Sequence, residues 1–361
     1  MSKPIILHIT TGLQVGGAER FLVNLLAEFQ NSSLNQFEHR VAYFRPGPYL
    51  VELERLGIKC YAITGLLQAY DLIGLGRLFK LIYLLRPKYL HSQLWVANLY
   101  TRLVGKILRI PVICSIHANY NRGSVNSDQW IKLWLDRLTM ALAAKIVAVS
   151  PEIAQKVQRD FSRLKADQIV QISNGIKVGD YELDHCKSAI FTIGHVGRFV
   201  PVKNQVLLIQ ALAKLRDLGY QFRAVIVGYG ELEGTLQQLV QELKLLDVVS
   251  FIYTTDLGSI YSQMDCFVLP SHQEGLSIAL LEAMSFGIVP IVTAQAGHPV
   301  IVSGQNGFIC SPNDIFELVH VLECLISNLE LRQQLGQWAR KTVYDNYNLS
   351  QVAKRYLELY R

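Results

Sequence analysis

Cysteine is sparse and never clustered: six residues in 361 (Cys60, Cys114, Cys186, Cys266, Cys310 and Cys324), with no C-x-x-C and no Cys/His grouping. That argues against a disulfide framework and a zinc site, and it is the usage of a reducing compartment, so a cytoplasmic location is expected. No apolar run reaches the roughly 18 residues of a spanning helix, and the stretch Ile5 to Ile9 is too short for the apolar region of a secretory signal. Any contact with a membrane is expected to be peripheral. Charge is also scarce. Asp, Glu, Lys and Arg make up 18% of the chain against 50% hydrophobic residues, which excludes a disordered polyelectrolyte and leaves material for two cores. Low-complexity tracts and solenoid repeats are absent.

The net charge of +6 is unevenly placed. Residues 1–176 carry 21 Lys and Arg against 11 Asp and Glu, a balance of +10; residues 177–361 carry 14 against 18, a balance of −4. A basic first half suits an anionic surface or acceptor as well as an ordinary solvated face.

Short apolar runs alternate with amphipathic ones. Strands are predicted at Ile5–Thr10, His39–Phe44, Lys59–Ile63, Tyr89–Ser92, Pro111–Ile116, Ile146–Val149 and Ile169–Ile172. Helices are predicted at Ala18–Phe29, Leu72–Leu85, Ala97–Leu108, Trp130–Ala143 and Pro151–Asp160. The polar stretch Ser173 to His185 reads as a linker. The pattern then restarts, with strands Ile190–Val196, Arg223–Val227, Val248–Ile252 and Cys266–Leu269, another from Ile288, and helices Asn204–Leu218, Glu231–Leu245, Leu257–Met264 and Leu276–Phe286. Helices Ile315–Asn328, Leu331–Tyr344 and Ser350–Tyr360 close the chain. Strands alternating with helices predict parallel sheets covered on both faces. The fold class is α/β, with one doubly wound domain over 1–176, a second over 177–344 and a last helical segment, 345–361.

In such folds ligands sit where a strand ends and a helix begins. Four stretches stand there. Gly12 to Arg20 offers Gly16 and Gly17 at the first helix start, where backbone can approach an anion closely; a plain tight turn is the alternative. Arg198 and Lys203 flank the turn before Asn204, and two fixed cations there suit a diphosphate. His117 ends the strand Pro111–Ile116; His91, His195 and His298 are weaker candidates. Glu274 and Glu282 lie in the turn and helix after Cys266–Leu269, eight residues apart, about 12 Å along a helix and some 80° apart around it. That is too far for a glycosidase pair, which stands about 5–9.5 Å apart. The two look like separate clamps on an extended ligand. Glu282 falls inside the apolar run Ile278–Met284, where a carboxylate needs a partner. Gly228-Tyr229-Gly230 with Gly234 misses the dinucleotide fingerprint by one residue, and Asp247 is at the wrong end of its strand for a ribose contact. A stripe of Trp130, Leu133, Trp134, Leu138 and Leu142 is expected to be core, with membrane contact the alternative.

The stretch E-G-L-S-I-A-L-L-E-A-M-S-F-G resembles the E-x7-E motif of retaining GT-B glycosyltransferases of the family 4, group 1 type. Gly16-Gly17-Ala18-Glu19-Arg20, the pair Arg198 and Lys203-Asn204, Ser173-Asn174-Gly175-Ile176, Val227-Gly228-x-Gly230 and Asn306-Gly307 resemble further family turns, so the likeness covers nearly the whole chain. It implies two Rossmann-like domains facing each other across a cleft, an N-terminal acceptor domain and a C-terminal domain for a nucleotide-sugar donor, with the last helix crossing back to the first domain. Arg198 and Lys203 would bind the diphosphate, Glu282 the ribose and Glu274 the donor sugar. Gly275, Leu276 and Ser277 would bring backbone N–H groups to a phosphate, and His117 would approach the sugar. A front-face mechanism without metal or cofactor is implied. The chain has no D-x-D, and the acids Asp180, Glu182 and Asp184 read as solubilising. Departures from the family pattern stand at Tyr253, at Gly297-His298-Pro299-Val300, at Gln93 and at Lys145, and they leave the donor open.

The expected activity is transfer of a sugar from a UDP-sugar to a glycan or lipid-linked acceptor in envelope or surface polysaccharide assembly, with contact at an inner membrane surface and no nucleic acid. The alternatives are a GT-B enzyme with a small soluble acceptor and a catalytically silent nucleotide-sugar binder.

Overall fold

A computed structural model describes residues 3–63, 71–117, 127–179, 190–254, 256–297 and 300–361. Cys186, His298 and the acids Asp180, Glu182 and Asp184 lie outside the described residues. Internal contacts divide the chain into two units, Met1–Gly175 with Leu349–Arg361, and Ile176–Asn348.

In the first unit, strands β1 (Ile5–Gly12), β2 (Glu38–Arg45), β3 (Lys59–Ala62), β4 (Tyr89–Gln93), β5 (Val112–Ile116), β6 (Lys145–Ala148) and β7 (Ile169–Gln171) pair in the order β3-β2-β1-β4-β5-β6-β7 among the described residues. Every pairing is parallel, with Ile9 opposite both Ala42 and Ser92. The connecting helices are α1 (Gly17–Asn31), α2 (Tyr49–Arg55), α3 (Leu72–Leu85), α4 (Trp95–Leu108), α5 (Ser127–Thr139) and α6 (Pro151–Asp160). Buried Leu7, Ile9, Leu90, Val112, Cys114 and Ile146 make the sheet's near-continuous apolar interior, as a parallel sheet requires. Local chemistry sets the helix starts. Asp71 accepts from the Ile73 N–H, and Ser150 caps α6 with Pro151 in its first turn.

The second unit repeats the plan. Strands β8 (Phe191–Val196), β9 (Phe222–Val227), β10 (Val249–Ile252), β11 (Cys266–Leu269), β12 (Val289–Thr293) and β13 (Phe308–Cys310) pair in parallel in the order β10-β9-β8-β11-β12-β13 among the described residues. Helices α7 (Gln205–Asp217), α8 (Glu233–Glu242), α9 (Gly258–Tyr261), α10 (Ile278–Ser285), α11 (Ala294–Gly297), α12 (Ile315–Ser327) and α13 (Leu329–Asn346) connect and cover it. In each sheet the strand order reverses beside the first strand, between β1 and β4 and between β8 and β11, which is where doubly wound sheets bind ligands.

Periodicity did not announce α2, α11 or β13, because seven, four and three residues are too short to show it. The helix expected to stop at Tyr344 runs on to Asn346, and the stretch belonging to the first unit starts at Leu349. That stretch is α14 (Leu349–Leu359), which packs on α1 within the first unit. Its buried Tyr356, and Tyr360 beyond its end, rest on a column of buried histidines. Tyr360 Oη lies 2.6 Å from His91 Nδ1, and Ser115 Oγ lies 2.8 Å from His91 Nε2. His39 donates from Nε2 to Asn35 Oδ1 at 3.1 Å, which leaves Nδ1 of a neutral His39 to accept from His8 Nε2 at 2.9 Å. Burial pushes His39 and His91 down to about 3 and His8 well below its ordinary range.

Candidate active site

The reversal between β8 and β11 carries the chemistry. After β8 the chain passes Gly197 and Arg198 and makes a 3-10 turn at Pro201–Lys203. Asn204 follows in the left-handed region at φ 50°, which lets α7 start sharply. The turn is held from below by glycine. A Cβ at Gly228 would lie 2.0 Å from the Gly197 carbonyl, and one at Gly230 would lie 2.4 Å from the Phe199 carbonyl. The G-x-G therefore seats the loop after β9 against the loop after β8, sealed by Phe199 N–H donating to the Tyr229 carbonyl at 2.8 Å. It is a close backbone approach within the protein.

Across the reversal, β11 ends at Pro270. The Lys203 ammonium pairs with Glu274 Oε1, both side chains being mostly buried, and Ser271 Oγ donates to the same oxygen at 2.8 Å. The His272 N–H donates to the Val202 carbonyl at 2.9 Å, and the Thr293 hydroxyl to the Ser271 carbonyl. Lys203 and Glu274, distant in sequence, are thus brought together, and the two loops form one polar floor. The dipole conflict that a cation meets at a helix start is relieved by the carboxylate. Arg198 is exposed, and among the described residues its guanidinium has no ion pair. Its carbonyl accepts from Gln205 Nε2 at 2.8 Å. The same Gln205 amide lies 3.2 Å from His195 Nε2, and His195 Nδ1 donates to the Val268 carbonyl at 2.9 Å. Burial takes His195 down to about 4, so it is a neutral brace between β8, β11 and α7.

Gly275 and Leu276 lead into α10, whose cap is Ser277, its hydroxyl accepting from the Leu280 N–H at 3.3 Å. Glu282 sits on α10 among buried Leu280, Leu281, Ala283 and Met284, and its Oε2 accepts from the Tyr261 hydroxyl at 3.2 Å. The partner a carboxylate needs in an apolar run is therefore an aromatic hydroxyl from α9. Sequence reading missed it, because a contact spanning 21 residues leaves no local signal. Ser271 was missed as well, although the Ser-x-x-Glu spacing of S-H-Q-E is a local signal that could have found it.

The other candidates belong to the first unit. Gly16 caps α1 in ordinary extended backbone, and a Cβ there would lie 2.4 Å from Glu19 Oε2. The glycine makes room for the chain's own carboxylate at that helix start, and Gly17 follows as the exposed first helical residue. Gln93 Nε2 donates to the Ala18 carbonyl at 3.3 Å. His117 follows β5 with both ring nitrogens shut from solvent and lacking a well-formed hydrogen bond; burial takes it down to about 4, while Asn174 beside it pulls the other way. The tryptophan stripe departs from its expected core role. Trp130 is 63% exposed and Trp134 50%, and Leu138 also faces outward, while Leu133 and Leu135 turn to the core. The apolar positions of α5 exceed one face, and the inward one is shared with Asp136, which pairs with Arg102.

Two family profiles cover most of the chain: Glycosyl transferases group 1 matches residues 187–342, and Glycosyltransferase Family 4 matches residues 15–179. The chain is a family 4, group 1 glycosyltransferase. Putative glycosyltransferase EpsF of Bacillus subtilis is 27% identical over 94% of this chain and 86% of its own length. The capsular polysaccharide biosynthesis glycosyltransferase CapM of Staphylococcus aureus is 26% identical over 80% of each. Anabaena HepE, solved in complex with UDP-glucose, superposes with a TM-score of 0.84 over 99% of both chains at 19% identity, a likeness of fold. The glycosyltransferase thus has the GT-B fold, with two Rossmann-like domains.

Proposed function

We propose that this glycosyltransferase moves a sugar from a nucleoside-diphosphate donor, a UDP-sugar, to a glycan or lipid-linked acceptor in surface polysaccharide assembly, with retention at the anomeric carbon. The observation that carries the donor reading is the Lys203–Glu274 pair at the sheet reversal, with exposed Arg198 on the same loop and the α10 start beside it. Breaking the glycosidic phosphate bond puts negative charge on the diphosphate, which fixed cations and a helix N-terminus stabilise without reorganising. Lys203 and Arg198 take that role. Glu274 accepts hydroxyls of the donor sugar, Gly275, Leu276 and Ser277 present the helix start to phosphate, and Glu282, steadied by Tyr261, accepts the ribose hydroxyls. His117 offers a neutral imidazole suited to a sugar hydroxyl. In a front-face reaction the leaving diphosphate oxygen takes the acceptor's proton as the new bond forms, so neither an enzymic nucleophile nor a metal is needed.

CapM supports the polysaccharide setting by its name, and HepE supports UDP-glucose as a donor type. The acceptor reading places the enzyme in the cytoplasm, peripheral to a membrane. The test is release of nucleoside diphosphate from UDP-, GDP- and ADP-sugars, with and without EDTA, using membrane extract as acceptor and NMR of the product anomer. UDP release insensitive to EDTA with a retained anomer is expected. No release from any donor would sink the proposal, and an inverted anomer would sink its mechanism.

A further inference from the structure

Helices α3, α4 and α5 lie side by side in the first unit, α3 and α5 each packed on α4. Their inward residues, among them Leu78, Ile82, Ala97 and Val104, are core. Their outward residues should be polar, yet they are not. On α3, Leu72 is 80% exposed, with Ile73, Tyr83 and Leu84 also exposed on the same outward face. On α5 the exposed Trp130, Trp134 and Leu138 follow one another at four-residue spacing, hence on one stripe. Ile107 is exposed near the end of α4. An apolar face this wide on a solvated helical layer marks a docking surface.

The charges choose the occupant. Interspersed with these residues stand exposed Arg77, Lys80, Lys106, Arg109 and Arg137. Helices α3 and α4 contain no acidic residue. Asp136 of α5 is turned inward onto Arg102, and Asp71, the acid beside Leu72 and Ile73, spends its carboxylate on capping α3 through the Ile73 N–H. Lys132 adds its ammonium 5.6 Å above the Trp95 ring. A second copy of the chain, docked by a two-fold axis, would bring one set of cations against the other. An anionic lipid surface accepts both parts: cations toward the headgroups, Trp, Tyr and Leu into the interface. Among the described residues no helix is long and apolar enough to cross a membrane, so a surface contact is the form open to these helices.

We propose that the outer face of the α3, α4 and α5 layer seats the enzyme on an anionic membrane, with Trp130 and Trp134 buried at the headgroup boundary and Arg77, Lys80 and Arg137 against lipid phosphate. The inference deepens the acceptor reading above and rests on it only in the choice of membrane as partner. The test uses the full chain without donor. It measures co-sedimentation with phosphatidylcholine vesicles, with and without about one third phosphatidylglycerol, and tryptophan quenching by brominated acyl chains. Binding to anionic vesicles, weakened by salt, with quenching, is expected. The Trp130→Ser/Trp134→Ser variant should lose the quenching and about tenfold or more in affinity, and Arg77→Glu/Lys80→Glu should lose anionic selectivity by a similar factor. Both variants should keep the wild-type melting temperature and donor turnover on a soluble acceptor, which separates failure here from failure of the donor reading. Wild-type protein that binds neither vesicle, or binds without quenching, overturns the proposal. So does a dimer that the Trp variant converts to monomer, which assigns the face to self-association, or preference for an acidic polypeptide over vesicles, which assigns it to a protein partner.

Discussion

The ammonium of Lys203 and the carboxylate of Glu274 are paired across the strand-order reversal of the second unit. The pair preorganises two groups that the proposed reaction uses separately: the cation for the leaving diphosphate, the anion for sugar hydroxyls. Lys203→Met is expected to lower kcat by about 100- to 1,000-fold, the cost of removing one preorganised group that meets developing charge. Glu274→Gln keeps the shape and should lower kcat/KM with a change in sugar preference. A double-mutant cycle on melting free energy in the absence of donor should return a coupling of about 1–3 kcal/mol, which additive single effects would refute.

Tyr261 reaches Glu282 with its hydroxyl alone, while its ring packs on Phe267 and Phe286. Tyr261→Phe removes the hydroxyl, which is shared between Glu282 Oε2 at 3.2 Å and the Ala279 carbonyl at 3.3 Å, and leaves the packing. The expected result is a rise of several-fold in donor KM at nearly constant kcat, corresponding to about 1 kcal/mol of binding. A fall in kcat with KM unchanged would place Glu282 in the chemical step instead of at the ribose.

Arg102 and Asp136 are each about 1% exposed and paired, and Trp95 Nε1 donates to the other Asp136 oxygen at 2.9 Å. Asp136→Ala leaves a buried guanidinium without its anion and should cost about 3–5 kcal/mol in chemical denaturation. The double replacement Arg102→Met/Asp136→Leu should be milder than either single change. If it is worse than both, the pair contributes net stability and the desolvation argument fails here.

The histidines set an acid limit. His39 and His91 titrate near 3 in the folded chain and His117 and His195 near 4, each depressed by burial from about 6.5. Between those values and 6.5 the unfolded chain binds more protons than the folded one. The stability these groups give is therefore complete above about pH 6.5 and is lost as pH falls toward 4, at up to about 1.4 kcal/mol per pH unit for each. Melting temperature should drop steeply from pH 6.5 to 5 and be flat from 7 to 8. His91→Asn should reduce the slope; an unchanged slope would move the acid sensitivity elsewhere.

Much of this was legible in the chain. Strict alternation of apolar runs and amphipathic helices gave both sheets, because a parallel strand buried on two faces is written as a continuous apolar word. The positions of Glu274, Arg198 and Lys203 after β11 and β8 were readable because their spacing puts them at strand ends. Tyr261 and the His8, His39 and His91 column were not, since the contacts that define them join segments far apart in sequence. Trp130 and Trp134 were misjudged for a related reason. Periodicity tells which residues share a face but not which face turns inward, and on α5 the buried Asp136 decides that.

Tyr360 closes over His91 from 269 residues away, and α14 belongs to a unit whose other part ended at Gly175. In the order of synthesis, the whole of residues 176–348 comes between the two. A ribosome-bound chain that has emerged only as far as Asn348 carries β1 to β7 with the histidine column uncovered, a fold waiting for its last segment. Stalled chains released at that length should be cut within the first unit by protease far faster than chains that include Tyr360, and adding the segment 349–361 as a separate peptide should restore part of the protection. Equal protection at both lengths would mean that the first unit is complete without its closing helix.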